Sequence, residues 1–224
     1  IDGMRDRHDK LRGERGSFDA TLRGIDHCRA AGIRVGLRFT VHAMNHDDLS
    51  DIFQLCHVHD IQRLCVYHLA YAGRGGKMQA VDLTAEQTRQ IVDRIFTMTR
   101  QSHAEGKPLE VLTVGNHTDA AYLVEHLKQD DPQQAQQVIQ RLQRTGGNRS
   151  GCNISSVDPI GNVHYDQFSW HYTCGNVRQQ PFSAIWSQAT DERLALLRDR
   201  QAALPQTCQQ CQYLSICNGN LRTR

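Results

Sequence analysis

Three short stretches rich in branched and aromatic residues alternate with segments whose apolar residues recur at helical spacing. The stretches are IRVGLRFTV at 33–41, IQRLCVYHLAY at 61–71 and LEVLTVGN at 109–116. Between and before them lie three helical patterns. In residues 16–32, Leu22, Ile25 and Cys28 form an apolar stripe, with Ser17 as the expected N-cap and Gly32 as the stop. In residues 45–60, Leu49, Ile52, Phe53 and Cys56 repeat at helical spacing. The third, residues 84–106, is long and amphipathic, with Thr84 as cap and Glu86 and Gln87 in the first turn. Strands connected through helices run parallel, with the helices packed outside the sheet. The first part of the chain therefore predicts an α/β layer or barrel.

The pattern changes downstream. Residues 118–144 read as helical and glutamine-rich, with Ala135, Val138 and Leu142 at helical spacing on an otherwise solvated helix. GGNRSG at 146–151 reads as a flexible joint. It divides the chain into a domain at 1–147 and a smaller one at 148–224. In the second domain, CNISSVD and NVHYDQF are expected to pair as a hairpin turning at residues 159–161, followed by one helix over 181–200.

Charge excludes some partners. The 224 residues carry 26 basic and 24 acidic side chains, a net of +2, so nothing favours nucleic acid or an anionic membrane surface. No apolar run approaches the roughly 20 residues that span a bilayer, and no secretion signal is visible. The chain opens on Ile1 in mid-pattern and is expected to be an excerpt of a longer protein. ERGS and AGRGG lack the spacing of a phosphate-binding loop.

Sulfur is distributed unevenly. Cys28, Cys56 and Cys65 sit in periodic apolar segments and read as small buried hydrophobes. The other five of the eight cysteines, Cys152, Cys174, Cys208, Cys211 and Cys217, fall in the last third, where long apolar runs are scarce. Clustering of thiols where a core is weak predicts a metal or cluster that organises the fold. CQQCQYLSIC places Cys208, Cys211 and Cys217 in a C-x2-C-x5-C run. Zinc sites are usually closed by four ligands in close pairs, and iron–sulfur clusters also take a close pair with further cysteines from a distance. Spacing leaves both open, with a disulfide as the third possibility.

The context of that run resembles the SPASM domain, the auxiliary-cluster module that follows many radical S-adenosylmethionine (SAM) barrels. The matching positions are Gly161, Gly175-Asn176-Val177-Arg178, Ile185-Trp186, Cys208, Cys211 and Cys217. Asp166 stands where the family has a cysteine, and a further cysteine would lie beyond the chain. That leaves the fourth iron ligand open among Cys174, Cys152, Asp166, His164 and the substrate, with Cys174 favoured. Upstream, HDKLRGERGSFD, GIRVGLRFTVHAMN and RLCVYHLAYAGRG resemble the fourth, fifth and sixth strand regions of SPASM-type radical SAM barrels. VGLRFTV, HLAYAGRG, TVGNHTDAAYL, GGNRSG and GNVHYDQFSWHYTCGNVR are most similar to the radical SAM proteins of haem d1 biosynthesis.

The resemblance implies the C-terminal half of a partial (β/α)6 TIM-like barrel followed by a small SPASM-type iron–sulfur domain. It implies a [4Fe-4S] auxiliary cluster in this chain. SAM and a catalytic [4Fe-4S] cluster would be held mainly by a preceding segment, since no C-x3-C-x2-C motif occurs here. The implied reaction removes propionate side chains from 12,18-didecarboxysirohaem through a 5′-deoxyadenosyl radical. Its implied partners are a tetrapyrrole and an electron donor such as a flavodoxin or ferredoxin, and an oxygen-labile cluster implies the cytoplasm. This chain alone is expected to be inactive. Strand C-terminal ends carry the chemistry in such barrels. Arg38 and Thr40 are accordingly expected at SAM, Arg74 and Asn116 at the substrate, and His68 as a proton donor or iron ligand. His171, Trp170 and Tyr172 suit a flat macrocycle or simple packing. Near alternatives are a related radical SAM haem synthase and a peptide-modifying SPASM enzyme. The alternative of another class is a non-enzymatic zinc-binding module on an α/β domain.

Overall fold

A computed structural model gives the fold. It describes residues 1–187 and 191–219 and divides into two compact units, Ile1–Asn116 and His117–Arg224. The first unit opens with helices α1 (Arg5–Arg12) and α2 (Ser17–Ala30). Ser17 is not the cap of α2 but its first helical residue; the cap is supplied from α1. Asp9 Oδ2 accepts from the Gly16 amide at 2.6 Å, and Oδ1 accepts from the Phe18 amide at 2.8 Å and the Ser17 hydroxyl at 2.9 Å. A carboxylate reaching orphan amides from another helix meets the same need as a local cap.

Strands β1 (Gly36–Val41), β2 (Arg63–His68) and β3 (Glu110–Val114) form one parallel sheet in that order. Phe39 pairs with Val66, and Val66 with Thr113. Helices α3 (Leu49–Val58) and α4 (Ala85–Ala104) supply the connections, as the alternation requires. Leu37, Phe39, Val41, Leu64 and Val66 enter the core beside Ile52, Phe53, Cys56, Ile91 and Ile95. Each such side chain contributes about 1.5–3 kcal/mol on burial. Thr84 caps α4 through a reciprocal box with Gln87, at 3.2 and 3.0 Å. The strands are shorter than their apolar runs. Ile33 is exposed after the Gly32 turn, and beyond His68 the chain turns into a 3-10 segment, Gly73–Val81. Gly75 is obligatory there: a Cβ would meet the Ala70 carbonyl oxygen at 2.0 Å.

In the second unit, α5 (Thr118–Asp130) and α6 (Pro132–Thr145) form a helical pair. The break falls at Asp131–Pro132. Pro132 takes the first helical position, and the Asp131 side chain accepts from the Gln134 amide at 2.9 Å. Val124, Leu127 and Ala135 are buried. Then come β4 (Ser156–Val157), β5 (Asn162–His164) and β6 (Gly175–Asn176) in an antiparallel sheet. The expected hairpin is thus β4–β5, and β6 adds a third strand. The helix expected over 181–200 is divided. Its parts are α7 (Phe182–Ser187), α8 (Glu192–Arg198) and the start of α9 (Arg200–Ala203), and residues 188–190 lie outside the described residues. Asp191 caps α8, accepting from the Leu194 amide at 2.8 Å. Two short helices complete the unit, α10 (Gln206–Gln209) and α11 (Leu214–Cys217), the latter packed on α5 and α6.

The boundary expected at 147/148 differs from the division into compact units at Asn116/His117, because α5 and α6 pack with the tail. The segment 146–151 is not a loose joint either. Asn148 and Ser150 are buried, and its glycines permit close packing. Among the described residues no helix is long and apolar enough to cross a membrane.

Candidate functional site

The cysteine run is carried on two short helical turns. The Cys211 amide donates to the Cys208 carbonyl at 3.1 Å, Leu214 to Cys211 at 3.0 Å and Cys217 to Tyr213 at 2.9 Å. Three further sets of hydrogen bonds fix this loop. The Asn148 amide donates to the Cys217 carbonyl at 3.0 Å, and Asn218 Nδ2 returns a bond to the Asn148 carbonyl at 2.7 Å. Tyr213, inside the five-residue spacer, is held from α5: Lys128 Nζ donates to its hydroxyl at 2.9 Å, and that hydroxyl donates to Glu125. Finally, buried Arg200 donates to the carbonyls of Leu197 at 2.6 Å, Asn218 at 3.1 Å and Ser150. Burial lowers the Arg200 pKa, and three carbonyl dipoles keep the charge hydrogen-bonded.

Burial pushes the Cys217 thiol up, and the neighbouring Cys208 and Cys211 push it further. These three sulfurs therefore lie within electrostatic reach of one another. Cys174 has other neighbours. Its Sγ lies 3.4 Å from the Val163 carbonyl, and burial followed by Asp191 raises its thiol pKa. Cys152 Sγ lies 3.5 Å from the Leu197 carbonyl, beside Arg200. Both ring nitrogens of His164 face acceptors, the Tyr172 carbonyl at 2.6 Å and Asp158 Oδ2 at 3.4 Å. Asp166 Oδ1 accepts from the Phe168 amide at 2.8 Å. Among the described residues no three His, Cys, Asp or Glu side chains converge into a ready metal site, and all eight cysteines are free. The donor chemistry of these thiols on a fixed loop fits an iron–sulfur cluster, since such clusters are held by thiolates.

The parallel sheet presents a second feature. Gly36, Arg38 and Thr40 alternate with the core residues of β1, and pair with Arg63, Cys65 and Tyr67. The next partners in β3 are Glu110, Leu112 and Val114. This face is open: Leu112 is 41 % exposed. On it the Arg38 guanidinium lies 4.7 Å from the Tyr67 ring centroid and donates to the Tyr67 hydroxyl. Buried Asn45 fixes the end of β1, donating to the Thr40 carbonyl at 2.9 Å and accepting from the His42 amide at 2.8 Å.

Arg38 and Thr40 thus share a face, as their spacing of two requires. His68 alternates with Leu64 and Val66 and is buried on the opposite face. A Cβ on Gly115, after β3, would meet the His68 carbonyl oxygen at 3.4 Å. Arg74 is exposed on the turn after β2, and Asn116 is half-buried after β3. Tyr67 was not among the sequence candidates; its alternation with Val66 and His68, set against that of Arg38, was the signal available.

SPASM, an iron–sulfur cluster-binding domain, matches residues 146–212, a span that includes Cys152, Cys174, Cys208 and Cys211. Over its full length the chain is 47 % identical to the Fe-coproporphyrin III synthase of Methanosarcina barkeri, covering 57 % of that protein. It is also 36 % identical, again over its full length, to the pre-heme d1 synthase of Dinoroseobacter shibae, covering 56 %. Among solved structures, native anSMEcpe with bound AdoMet superposes with a TM-score of 0.67 at 13 % identity, over 99 % of this chain and 57 % of that one. Streptococcus suis SuiB bound to S-adenosylmethionine gives 0.66 at 15 % identity, over 93 % and 45 %. Those two likenesses show the fold, the C-terminal part of a partial barrel followed by a small domain. The chain spans a little over half the length of the curated relatives it matches, and its residues 146–212 belong to the SPASM iron–sulfur cluster-binding domain family.

Proposed function

We propose that the whole protein is a radical SAM enzyme that modifies the side chains of an iron tetrapyrrole. The single observation carrying this is identity to two tetrapyrrole synthases across the entire chain, barrel part included. A shared auxiliary domain alone would not distinguish tetrapyrrole from peptide substrates.

In this reading Cys208, Cys211 and Cys217 hold an auxiliary [4Fe-4S] cluster, with Cys174 as the fourth ligand. When bound, the clusters supply electron transfer, including the electron that cleaves SAM, fed by a flavodoxin- or ferredoxin-type donor. Arg38 and Thr40 orient SAM from the open sheet face, where a guanidinium matches a carboxylate in a two-point fork. Arg74 and Asn116 hold the substrate's carboxylate arms. Tyr67 and His68 are the two candidates for moving a proton, from opposite faces of β2.

The finer proposal is 12,18-didecarboxysirohaem as substrate. Loss of its propionate side chains, begun by hydrogen abstraction, on the way to haem d1 is one outcome. The higher identity to the Fe-coproporphyrin III synthase favours a second, an iron coproporphyrin product. The test begins with anaerobic reconstitution of the full-length protein and counts of iron and sulfide. SAM, reductant and 12,18-didecarboxysirohaem follow, with mass spectrometry of the tetrapyrrole. Release of 5′-deoxyadenosine with a defined mass loss supports the reading, and that loss identifies the product. Tight zinc without sulfide would promote the zinc-module alternative and remove the cluster from the tail.

A further inference from the structure

The second unit contains a cavity of about 330 Å³, separate from the cysteine loop's thiols in its lining. That volume lies at the lower end of small-molecule pockets. One wall is aliphatic: Leu196 and Leu197 of α8, with Leu204 after α9. The other wall is aromatic and comes from the segment after β5, with Tyr165 and Tyr172.

The polar groups of this lining are unequally committed. The Tyr165 hydroxyl donates to Asp191 Oδ1 at 2.8 Å. The Ser169 hydroxyl donates to the Asp166 carbonyl at 3.1 Å and accepts from the Asp166 amide at 3.0 Å. Arg200 spends its donors on three main-chain carbonyls, as above, yet its charge meets no carboxylate in an ion pair among the described residues. Arg193 differs. Its guanidinium stacks over Tyr172 at 4.6 Å from the ring centroid, and among the described residues no hydrogen bond or ion pair takes up its donors. Two guanidinium groups and one carboxylate, Asp166, therefore line a mostly apolar space. An open, mostly apolar cleft with a net positive lining favours an anion. The free guanidinium offers a planar fork that suits a carboxylate, and the leucine wall suits an alkyl stem.

We propose that this cavity binds an amphipathic carboxylate, its alkyl body against Leu196, Leu197 and Leu204 and its carboxylate on Arg193. The ligand class goes beyond the tetrapyrrole reading and needs neither SAM nor a working active site.

The test is calorimetric titration of the reconstituted protein with sodium octanoate, and with 1-octanol as the uncharged isostere. Octanoate is expected to bind saturably at one site, about tenfold or more tighter than octanol, as a charge-assisted contact implies. Arg193→Gln should erase that preference. Leu196→Asp, which places a like charge on the wall, should weaken octanoate further. Both positions are exposed, so circular dichroism and iron and sulfide counts should stay unchanged, and failure here leaves the enzyme reading standing. Equal affinity for octanoate and octanol would overturn the proposal. So would unchanged octanoate binding in Arg193→Gln, or no saturable binding at all.

Discussion

The backbone of Gly147 lies directly against the carbonyl of Cys217. A Cβ at position 147 would come within 2.9 Å of that oxygen, within 2.7 Å of the Ile216 oxygen and within 2.8 Å of Asn218 Cβ. Gly147 also has a φ of +78°, where side chains are disfavoured. The segment that reads as a joint is therefore the floor of the cysteine loop.

Gly147→Ala should cost about 1–3 kcal/mol, through strain and contact with main chain that cannot move aside. Iron retained after reconstitution should fall with it. Gly24→Ala is the control with the opposite sign. Gly24 sits inside α2 with open space around it, so alanine should stabilise by about 0.5–1 kcal/mol. Paired denaturant titrations measure both.

Thiol labelling should follow a set order. Cys211 is exposed and should alkylate first in the metal-free protein. Cys56 is fully buried and its thiol is pushed up to about 12 by burial, so it should react only on unfolding. Iron and sulfide loading should protect Cys208, Cys211 and Cys217, together with whichever residue is the fourth ligand. Peptide mapping of alkylated, cluster-loaded protein reads this directly. Protection of Cys152 instead of Cys174 would reassign the fourth position.

Acid should loosen the junction of α1 and α2. Asp9 is held below the usual carboxylate range, chiefly by the Gly16 and Phe18 amides. A depressed folded-state pKa contributes stability that is complete above the unfolded value, about 4, and is lost as pH falls through the folded one. Asp9→Asn should lower the melting temperature at pH 7, and the gap to wild type should narrow below about pH 4. A melting series from pH 7 to pH 3 checks the sign.

Substitutions on the two faces of the parallel sheet should separate chemistry from stability. Arg38→Ala is expected to weaken SAM binding about tenfold in the full-length enzyme, with little change in folding, because Arg38 is exposed on the open face. Tyr67→Phe should lower turnover while leaving the melting temperature within a degree or two. His68→Gln should do the reverse, since His68 is 3 % exposed among core residues. A His68→Gln enzyme that is fully folded yet inactive would return the proton-moving role to that residue.

The alternating sequence determined much of this protein without reference to any contact. Period two in Leu37, Phe39 and Val41, and period 3.6 in Leu49, Ile52, Phe53 and Cys56, are consequences of local geometry, so strands, helices and their parallel order were legible. So was the Thr84–Gln87 box, because both partners lie within one turn. The cysteine spacing and its SPASM context pointed to the domain that the family match bears out. What only the tertiary structure decided depends on residues distant in sequence. Asp9 caps a helix it does not belong to, Tyr67 rather than a neighbour receives Arg38, and α5 and α6 join the tail instead of the sheet. Gly147 takes its meaning from Cys217, far along the chain. Periodicity reports which face of an element is apolar, because that is set by backbone repeat. It cannot report which distant backbone will press against that face, because that is set by packing of the whole unit.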